Sequence, residues 1–289
     1  MGENDQDLAI TFWGVRGSTP CANKENMKFG GNTSCLQIHL PDNTETLILD
    51  SGTGIRNLGN KLQEHSGDIN GHIFITHPHW DHIQGFPFFK PIYESNNRFV
   101  IHMPEQANGQ SCRDILSGHL TKTFFPVTLD MIDANLEYAT ETGQRTSYAG
   151  YDIEFIYANH TINTAIYKVH IGGKEIVYCP DNEINISGEP PRPGFNKELT
   201  AFFEDIDLLI HDGQYNLQSY QDKCGWGHSP WEHVIDFARA CGVPRLFITH
   251  HDPDSTDDYL TKLDNQISRQ FGDDFKTVQL AREGDTISI

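Results

Sequence analysis

Three histidines and an aspartate lie within six positions of the sequence, directly after a short apolar run. Residues 76–82 read THPHWDH, and the run HIFI before them has the composition of a buried strand. Neutral imidazole and carboxylate groups are common ligands of zinc and similar ions. In an extended segment His77 and His79 project to the same side, and a turn would carry Asp81 and His82 toward a second position. The segment therefore predicts a metal-binding loop, and its two ligand pairs suggest two ions about 3.5–4 Å apart.

The order His-x-His-x-Asp-His after a strand resembles the signature loop of the metallo-β-lactamase fold superfamily. The wider stretch HWDHIQG, followed by FPFF, is similar to the ribonuclease Z-like and cyclic-nucleotide phosphodiesterase branches. The resemblance implies an α/β fold, an αββα four-layer sandwich in which two mixed β-sheets are flanked by helices. Because ligand candidates extend from residue 77 to residue 250, a division of the chain would split the site. We therefore predict a single hydrolase domain over residues 1–289.

The resemblance also implies metal ligands at the ends of later strands. His160 follows an alternating strand pattern and takes the place of the family's third motif. Asp181 ends the second strand of a hairpin, where the family has an aspartate that holds both ions. His250 takes the place of the last ligand, and the adjacent His251 is the alternative. The expected ligands are His77, His79 and His160 for one ion, Asp81, His82 and His250 for the other, and Asp181 between them. Five histidines and two aspartates suit zinc, with manganese or iron as alternatives.

Two further residues receive roles from the resemblance. Asp50 ends a strand before a glycine turn and is expected to brace the metal loop through hydrogen bonds without binding metal. His228 lies in a segment similar to the Gly-His-Ser-Thr element of ribonuclease Z-like phosphodiesterases, with Pro230 in place of the threonine. In those enzymes the histidine protonates the departing oxygen. We therefore expect His228 to be catalytic, together with Asp81.

Several local patterns give structural expectations near the site. Ser229 and Glu232 have the spacing of a capping box, with Pro230 at the first helical position. Arg16, in a glycine-punctuated loop, is a candidate phosphate contact. The stretch 123–127 is predicted to be a buried aromatic patch, and the loop 185–194 could help to frame a pocket.

The charge balance bears on the substrate. Lys and Arg number 21 and Asp and Glu number 40, which gives a net charge of −19. An acidic surface repels polyanions, since neutralisation of phosphates supplies much of the affinity for nucleic acids. No lysine- and glycine-rich insertion, of the kind that would grip tRNA, lies between His82 and His160. Long RNA or DNA is therefore expected to be disfavoured, and the same charge gives no attraction to anionic membranes.

The compartment follows from cysteine usage and hydropathy. The six cysteines are scattered without a Cys-x-x-Cys pair, which favours reduced thiols. The first seven residues are acidic and contain no apolar segment typical of a signal peptide. No stretch approaches the roughly 20 apolar residues of a membrane span. We expect a cytoplasmic protein without membrane contact, and the resemblance implies a homodimer.

These inferences combine into a reaction. Two divalent ions against two carboxylates leave a local charge of about +2, which attracts an anionic phosphodiester. We expect a dinuclear-metal phosphodiesterase that hydrolyses a small phosphodiester, a 3′,5′-cyclic nucleotide, by attack of a metal-bridged hydroxide with His228 as general acid. The alternatives are a ribonuclease Z-like nuclease that processes tRNA or other RNA, a non-phosphodiester enzyme on the same fold (a lactamase, a thioesterase or a flavodiiron oxidoreductase), and a metal-dependent binding protein. No substrate-binding residue is predicted, although four aromatic side chains could stack a base: Phe86, Phe88, Phe124 and Trp226.

Overall fold

The computed structural model describes residues 8–41, 45–184 and 194–289. Residues 185–193, in the loop predicted to frame a pocket, lie outside this part of the chain. Within the described residues, two seven-stranded sheets pack face to face and carry helices on their outer faces. The predicted αββα sandwich of two mixed sheets is therefore confirmed.

The first sheet combines parallel and antiparallel strands. Its members are β1 (Ala9–Gly14), β2 (Cys35–Ile38), β3 (Thr46–Leu49), β4 (Asn70–Phe74), β5 (Arg98–Pro104), β6 (Asn135–Glu141) and β14 (Thr286–Ser288). The order across the sheet is β14-β1-β2-β3-β4-β5-β6, and β3 to β6 are parallel. The carboxyl ends of β3 and β4 therefore lie at the same edge, where Asp50 and the loop after β4 follow.

The second sheet is also mixed. Its members are β7 (Thr146–Tyr148), β8 (Tyr151–Tyr157), β9 (Ala165–Ile171), β10 (Lys174–Cys179), β11 (Leu208–Asp212), β12 (Arg245–Thr249) and β13 (Thr277–Leu280). The order is β13-β12-β11-β10-β9-β8-β7. Strands β10 to β13 are parallel, and β9 is antiparallel to both β8 and β10. The carboxyl ends of β8, β10, β11 and β12 consequently meet at one edge.

Helices cover the outer faces of both sheets. They are α1 (Ile55–Leu62), α2 (Trp80–Ile83), α3 (Cys112–His119), α4 (Phe195–Phe202), α5 (Leu217–Tyr220), α6 (Trp231–Ala240) and α7 (Asp257–Phe271). Apolar side chains of α1 and α3 pack on the first sheet, and those of α4, α6 and α7 pack on the second. In the described part of the chain, no helix has the length and apolar character needed to cross a membrane.

The inner faces of the two sheets form a continuous apolar core. Phe12 of β1 stacks on Phe247 of β12 with ring centroids 5.6 Å apart, and Phe74 of β4 meets the ring of Tyr167 of β9 at 5.6 Å. Full burial of each such side chain stabilises the fold by roughly 1.5–3 kcal/mol. Because this packing joins the sheets, it also fixes the loops at their carboxyl ends relative to one another.

The start of α6 differs from its sequence prediction. Trp231 is the first helical residue, and Pro230 occupies the N-cap position without a side-chain cap. The predicted capping box is therefore wrong. The Ser229 hydroxyl donates to the Asn182 carbonyl at 2.5 Å, and Glu232 accepts a hydrogen bond from a backbone N–H of α5 instead. Tertiary hydrogen bonds have taken both side chains away from the helix terminus, which ties α6 to the end of β10.

The aromatic stretch 123–127 is not a buried patch. Phe124 is 81% exposed, and the ring of Phe125 packs against Phe88, itself 49% exposed. These aromatic residues were predicted to be buried, but they lie on a surface segment between α3 and β6.

Candidate metal centre

The seven predicted metal ligands lie together where the carboxyl ends of the strands meet. The loop after β4 supplies four of them, and His160, Asp181 and His250 follow β8, β10 and β12. His79 precedes the short helix α2, whose turn carries Asp81 and His82 back toward the centre. The topology of the two sheets thus places residues more than 170 positions apart in one cluster.

Four side-chain atoms form the first ligand group. His77 Nε2 lies 2.8 Å and His160 Nε2 lies 3.2 Å from His79 Nδ1. Asp181 Oδ2 lies 3.7 Å from His77 Nε2 and 3.6 Å from His160 Nε2. In a tetrahedral site with bonds of about 2.0–2.1 Å, neighbouring ligand atoms are about 3.3 Å apart. The spacing of these four atoms therefore suits one small divalent cation.

The other oxygen of Asp181 belongs to a second group. Its Oδ1 lies 3.0 Å from His82 Nε2 and 3.3 Å from His250 Nε2. Asp81 Oδ2 lies 3.4 Å from His82 Nε2 and 3.1 Å from His250 Nε2. Asp181 thus presents one carboxylate oxygen to each group, which is the arrangement expected of a residue that bridges two cations.

The chemistry of these donors fits divalent ions. His82 Nε2 and Asp181 Oδ1 are buried and lie 3.0 Å apart without the geometry of a hydrogen bond, an arrangement that is costly unless another ligand satisfies them. Burial lowers the pKa of His77 and lowers the pKa of His160 to about 4, so both imidazoles are neutral, the form that binds metal. Histidine and aspartate together suit zinc, and manganese or iron share these ligand types.

Asp50 forms hydrogen bonds that support the contiguous loop, residues 76–82. Its Oδ1 accepts hydrogen bonds from the Thr76 backbone N–H at 2.7 Å and hydroxyl at 2.9 Å. Its Oδ2 accepts from His82 Nδ1 at 2.8 Å and from the Tyr178 hydroxyl at 3.0 Å. Since Nδ1 of His82 donates to this carboxylate, its Nε2 is directed at the cluster. This geometry suits the bracing role predicted for Asp50.

Neutral groups orient the ligands that follow the second sheet. His160 Nδ1 donates to the Gly227 carbonyl at 2.9 Å, and His250 Nδ1 faces Gln214 Oε1 at 3.2 Å. His250 has a left-handed backbone with φ of 60°. A Cβ at Gly17 would lie 2.4 Å from the His250 ring, so only glycine leaves room for this ligand. Gln214 was not predicted from the sequence, because its role depends on which loop faces the end of β12.

The alternative ligand His251 lies outside the cluster. Its ring is buried, and Nε2 donates to the Ala281 carbonyl at 2.8 Å. Adjacent side chains at the end of β12 point in different directions, and His250 is the one that faces Asp81. His211 of β11 also lies apart, and its Nδ1 donates to the Asp212 carbonyl at 2.7 Å.

His228 lies beside the cluster and is held by an aspartate. Its Nδ1 donates to Asp212 Oδ2 at 3.0 Å, and its ring stacks on His250 with centroids 4.9 Å apart. Burial lowers the pKa of His228, but Asp212 and the Asp181 carboxylate outweigh this effect and raise it to about 9. Asp212 was missed as a functional residue. The signal for it was present, since a carboxylate at the end of β11 must lie at the edge that carries the ligands.

Arg16 does not face the centre. Its side chain is fully buried, and Nε donates to the Gly30 carbonyl at 2.7 Å. Nη1 donates to the Asp252 and Ser255 carbonyls at 3.1 Å and 2.8 Å. The expected phosphate contact is therefore wrong, because the guanidinium instead ties the segment after His250 to the glycine loop.

The four aromatic candidates for base stacking differ in exposure. Phe86 is fully buried in the outer core of the first sheet and cannot stack on a ligand. Phe88 and Phe124 line a cavity of about 350 Å³ together with Trp80. Trp226 is 58% exposed and precedes Gly227, the residue whose carbonyl contacts His160.

Sequence relatives correct one expectation about partners. A ribonuclease Z from Haloarcula marismortui is 23% identical over 278 residues, which cover 84% of this chain and 86% of the relative. Because a ribonuclease acts on RNA, the expectation that long nucleic acid is disfavoured is wrong. The net charge of −19 sums the whole surface, whereas the potential at a site is set by the groups around it.

Solved structures share the fold along the chain. A diphosphatase from the PhnP family superposes with a TM-score of 0.67 at 16% identity and covers 98% of both chains. Human tRNase Z, short form, gives a TM-score of 0.64 at 19% identity and covers 97% of this chain and 99% of that one.

The family model of the beta-lactamase superfamily domain matches residues 46–251. Together with the ribonuclease Z relatives, it confirms the predicted class of metal-dependent hydrolase. The chain belongs to the β-lactamase superfamily.

Proposed function

We propose that the protein hydrolyses nucleotide phosphodiesters at a dinuclear metal centre, with a 3′,5′-cyclic nucleotide as its substrate. The observation that carries this proposal is the Asp181 carboxylate, whose two oxygens face two separate ligand groups. A pair of cations held side by side is the arrangement that enzymes use to clamp the oxygens of a phosphodiester.

Charge supports the same substrate class. The two ligand groups contain two carboxylates, Asp81 and Asp181, and the remaining five ligands are imidazoles. With two divalent ions bound, the centre is positive inside an acidic protein, so an anionic diester is attracted to it. Bound ions would supply Lewis acidity toward the phosphoryl oxygens and a water of lowered pKa.

We infer that His228 acts as the general acid. Asp212 accepts the Nδ1 proton, so the second ring nitrogen is free to carry a proton toward the leaving oxygen. The Asp212 carboxylate also stabilises the imidazolium form, which is the form that can donate. The ring lies against His250 and 5.1 Å from the His160 ring, so a group bound between the two ligand sets is beside it.

RNA processing is a second candidate, favoured by the relatives named ribonuclease Z. It would use the same centre and the same general acid, since the scissile group is again a phosphodiester. The two candidate functions differ only in the groups attached to the scissile phosphate, a cyclic nucleotide in one and an RNA chain in the other.

The proposal is tested with zinc-loaded protein on a panel of 3′,5′-cyclic AMP and GMP, an RNA with a 3′ extension, a β-lactam and a thioester. We expect turnover of a phosphodiester, with kcat/KM deciding between cyclic nucleotide and RNA. An Asp181→Ala variant should lose this turnover. Cleavage of the lactam or thioester alone would contradict the proposal, as would phosphodiester turnover that survives in Asp181→Ala.

Three further expectations stay predictions. Zinc is proposed as the metal because five imidazoles and two carboxylates suit it, with manganese or iron as alternatives. The homodimer and the cytoplasmic location rest on the resemblance and on composition. Metal analysis and sedimentation of the purified protein address the first two.

A further inference from the structure

A cavity of about 780 Å³ adjoins the metal centre. Its wall includes His160, a member of the first ligand group, and Pro78, which lies between His77 and His79. The cavity therefore opens beside the first cation position. Its volume lies within the roughly 300–1,000 Å³ of sites that bind small molecules.

The cavity wall is rich in side-chain amides. Five carboxamide residues line it: Gln106, Asn108, Gln110, Asn159 and Asn163. Among the described residues of the wall there is no Lys or Arg, and Asp114 is the one acidic residue. A wall of this kind does not attract a second phosphate group. It suits a neutral polar group attached to the phosphate that binds at the metal centre.

Internal hydrogen bonds orient three of these amides through their nitrogen atoms, whereas Asn108 and Gln110 bond to each other through their side-chain oxygens. Gln106 Nε2 donates to the Pro104 and Asn163 carbonyls at 3.1 Å and 2.9 Å. Asn163 Nδ2 donates to the Glu105 carbonyl at 2.8 Å, and Asn159 Nδ2 donates to the Glu183 carbonyl at 2.9 Å. With their nitrogens engaged, these side chains offer carboxamide oxygens as acceptors for the N–H and O–H groups of a ligand.

Apolar surface completes the wall. Ile115 of α3 and Ile162 line the cavity, and so does Tyr157 at the end of β8. A nucleoside combines flat apolar ring faces with amino and hydroxyl donors at its edges, and proteins read such edges with hydrogen bonds. The two kinds of surface in this cavity match the two parts of that ligand.

We propose that this cavity is the subsite for the nucleoside part of the substrate, with the phosphate at the metal centre. The inference deepens the proposed phosphodiester hydrolysis and rests on it. It assigns recognition of the base and sugar to α3, the segment 105–110 and the segment 157–163, on the side of His160 rather than of His250.

Binding of reaction products provides the test. Ala107 is exposed on the cavity wall, so Ala107→Trp would place an indole in the cavity without disturbing the core. Ala149→Trp is the matched control, since Ala149 is also exposed and lies in the turn before β8, at the opposite end of that strand from Tyr157. Zinc-loaded wild type and both variants are titrated calorimetrically with inorganic phosphate and with the 5′-monophosphates of adenosine, guanosine, cytidine and uridine.

We expect at least one nucleotide to bind wild type and Ala149→Trp about tenfold more tightly than inorganic phosphate does. Ala107→Trp should lose this difference while its affinity for phosphate stays unchanged. The inference is overturned if no nucleotide binds wild type more tightly than phosphate, or if Ala107→Trp keeps the preference. Failure of the proposed function is a separate result, because it would leave nucleotide binding intact while no phosphodiester is cleaved.

Discussion

The two sheets supply the proposed metal ligands in different ways. The first sheet contributes one contiguous loop, in which a single buried carboxylate, Asp50, fixes both the backbone at Thr76 and the ring of His82. The second sheet contributes His160, Asp181 and His250 from three separate strand ends. A neutral carbonyl or amide of a neighbouring loop orients each of the two histidines.

This difference has a physical consequence. An ionised carboxylate that accepts a hydrogen bond from an imidazole makes the ring a stronger ligand, whereas a carbonyl or an amide mainly fixes its direction. The contiguous loop should therefore depend on charge, and the separate ligands should depend on shape and packing. Substitutions that remove one kind of support at a time can break or sharpen this comparison.

The largest effect is expected from His228, which lies on the side of the separate ligands but outside both ligand groups. His228→Ala should lower kcat for a diester with an alkoxide leaving group by about 10²–10⁴-fold, because the general acid is lost. His228 lies within reach of Asp181 and His250, but its Nδ1 donates to Asp212, so we expect the metal content not to change. Rates and elemental analysis on the same samples check both statements.

The leaving group provides the control for His228. A p-nitrophenyl diester needs little protonation of its leaving oxygen, so the loss in His228→Ala should be much smaller for it. Equal losses on both substrates, or loss of metal from the variant, would instead assign His228 to metal binding.

A smaller effect is expected for the support of the contiguous loop. Asp50→Asn keeps the size of the side chain but removes the charge that faces His82 Nδ1. Metal affinity should fall by about 10–100-fold, as measured by competition with a chelator. Asp130→Asn, an exposed carboxylate on the outer surface, is the control and should bind metal like wild type.

Gly17→Ala addresses shape at His250. The added Cβ would lie 2.4 Å from the ring, so the ligand must move, and metal affinity should fall by about tenfold. Gly118→Ala adds the same atom at a position where nothing lies within 4 Å, so it should not change the metal affinity. Unchanged metal affinity in Gly17→Ala would mean that His250 can shift and still bind the metal. That result would contradict the statement that the separate ligands depend on shape and packing.

The smallest effect is expected for Gln214→Ala. This change removes the amide oxygen that faces His250 Nδ1 but leaves the packing of the ring in place. Metal affinity should fall by only a few-fold, at the lower end of the range for outer partners. If metal affinity falls as much as in Asp50→Asn, then the charge of Asp50 does not make its support stronger than that of the neutral Gln214 amide.

The sequence predicted the contiguous loop from chemistry alone, because its ligands follow one another and a strand precedes them. His160, Asp181 and His250 came from the family resemblance, since a single histidine or aspartate after a strand has many uses. Asp212 was missed although its place at the end of β11 signalled it. Gln214 lay beyond both approaches, as its role arises only when the ends of separate strands meet.

Local patterns failed where tertiary contacts outweighed them. Ser229 left the predicted capping box because the Asn182 carbonyl accepts its proton. Arg16 lies in a glycine loop that looks open in sequence, yet it is fully buried by contacts with a segment more than 230 positions away. The fold class, by contrast, followed from the family resemblance and does not depend on these local contacts.

Anomalous diffraction from crystals grown with zinc tests the central claim most directly. We predict two peaks per chain about 3.5–4 Å apart, one beside each oxygen of Asp181, with His77, His79 and His160 around the first and Asp81, His82 and His250 around the second. A single peak, or two peaks that do not share Asp181, would contradict the dinuclear centre.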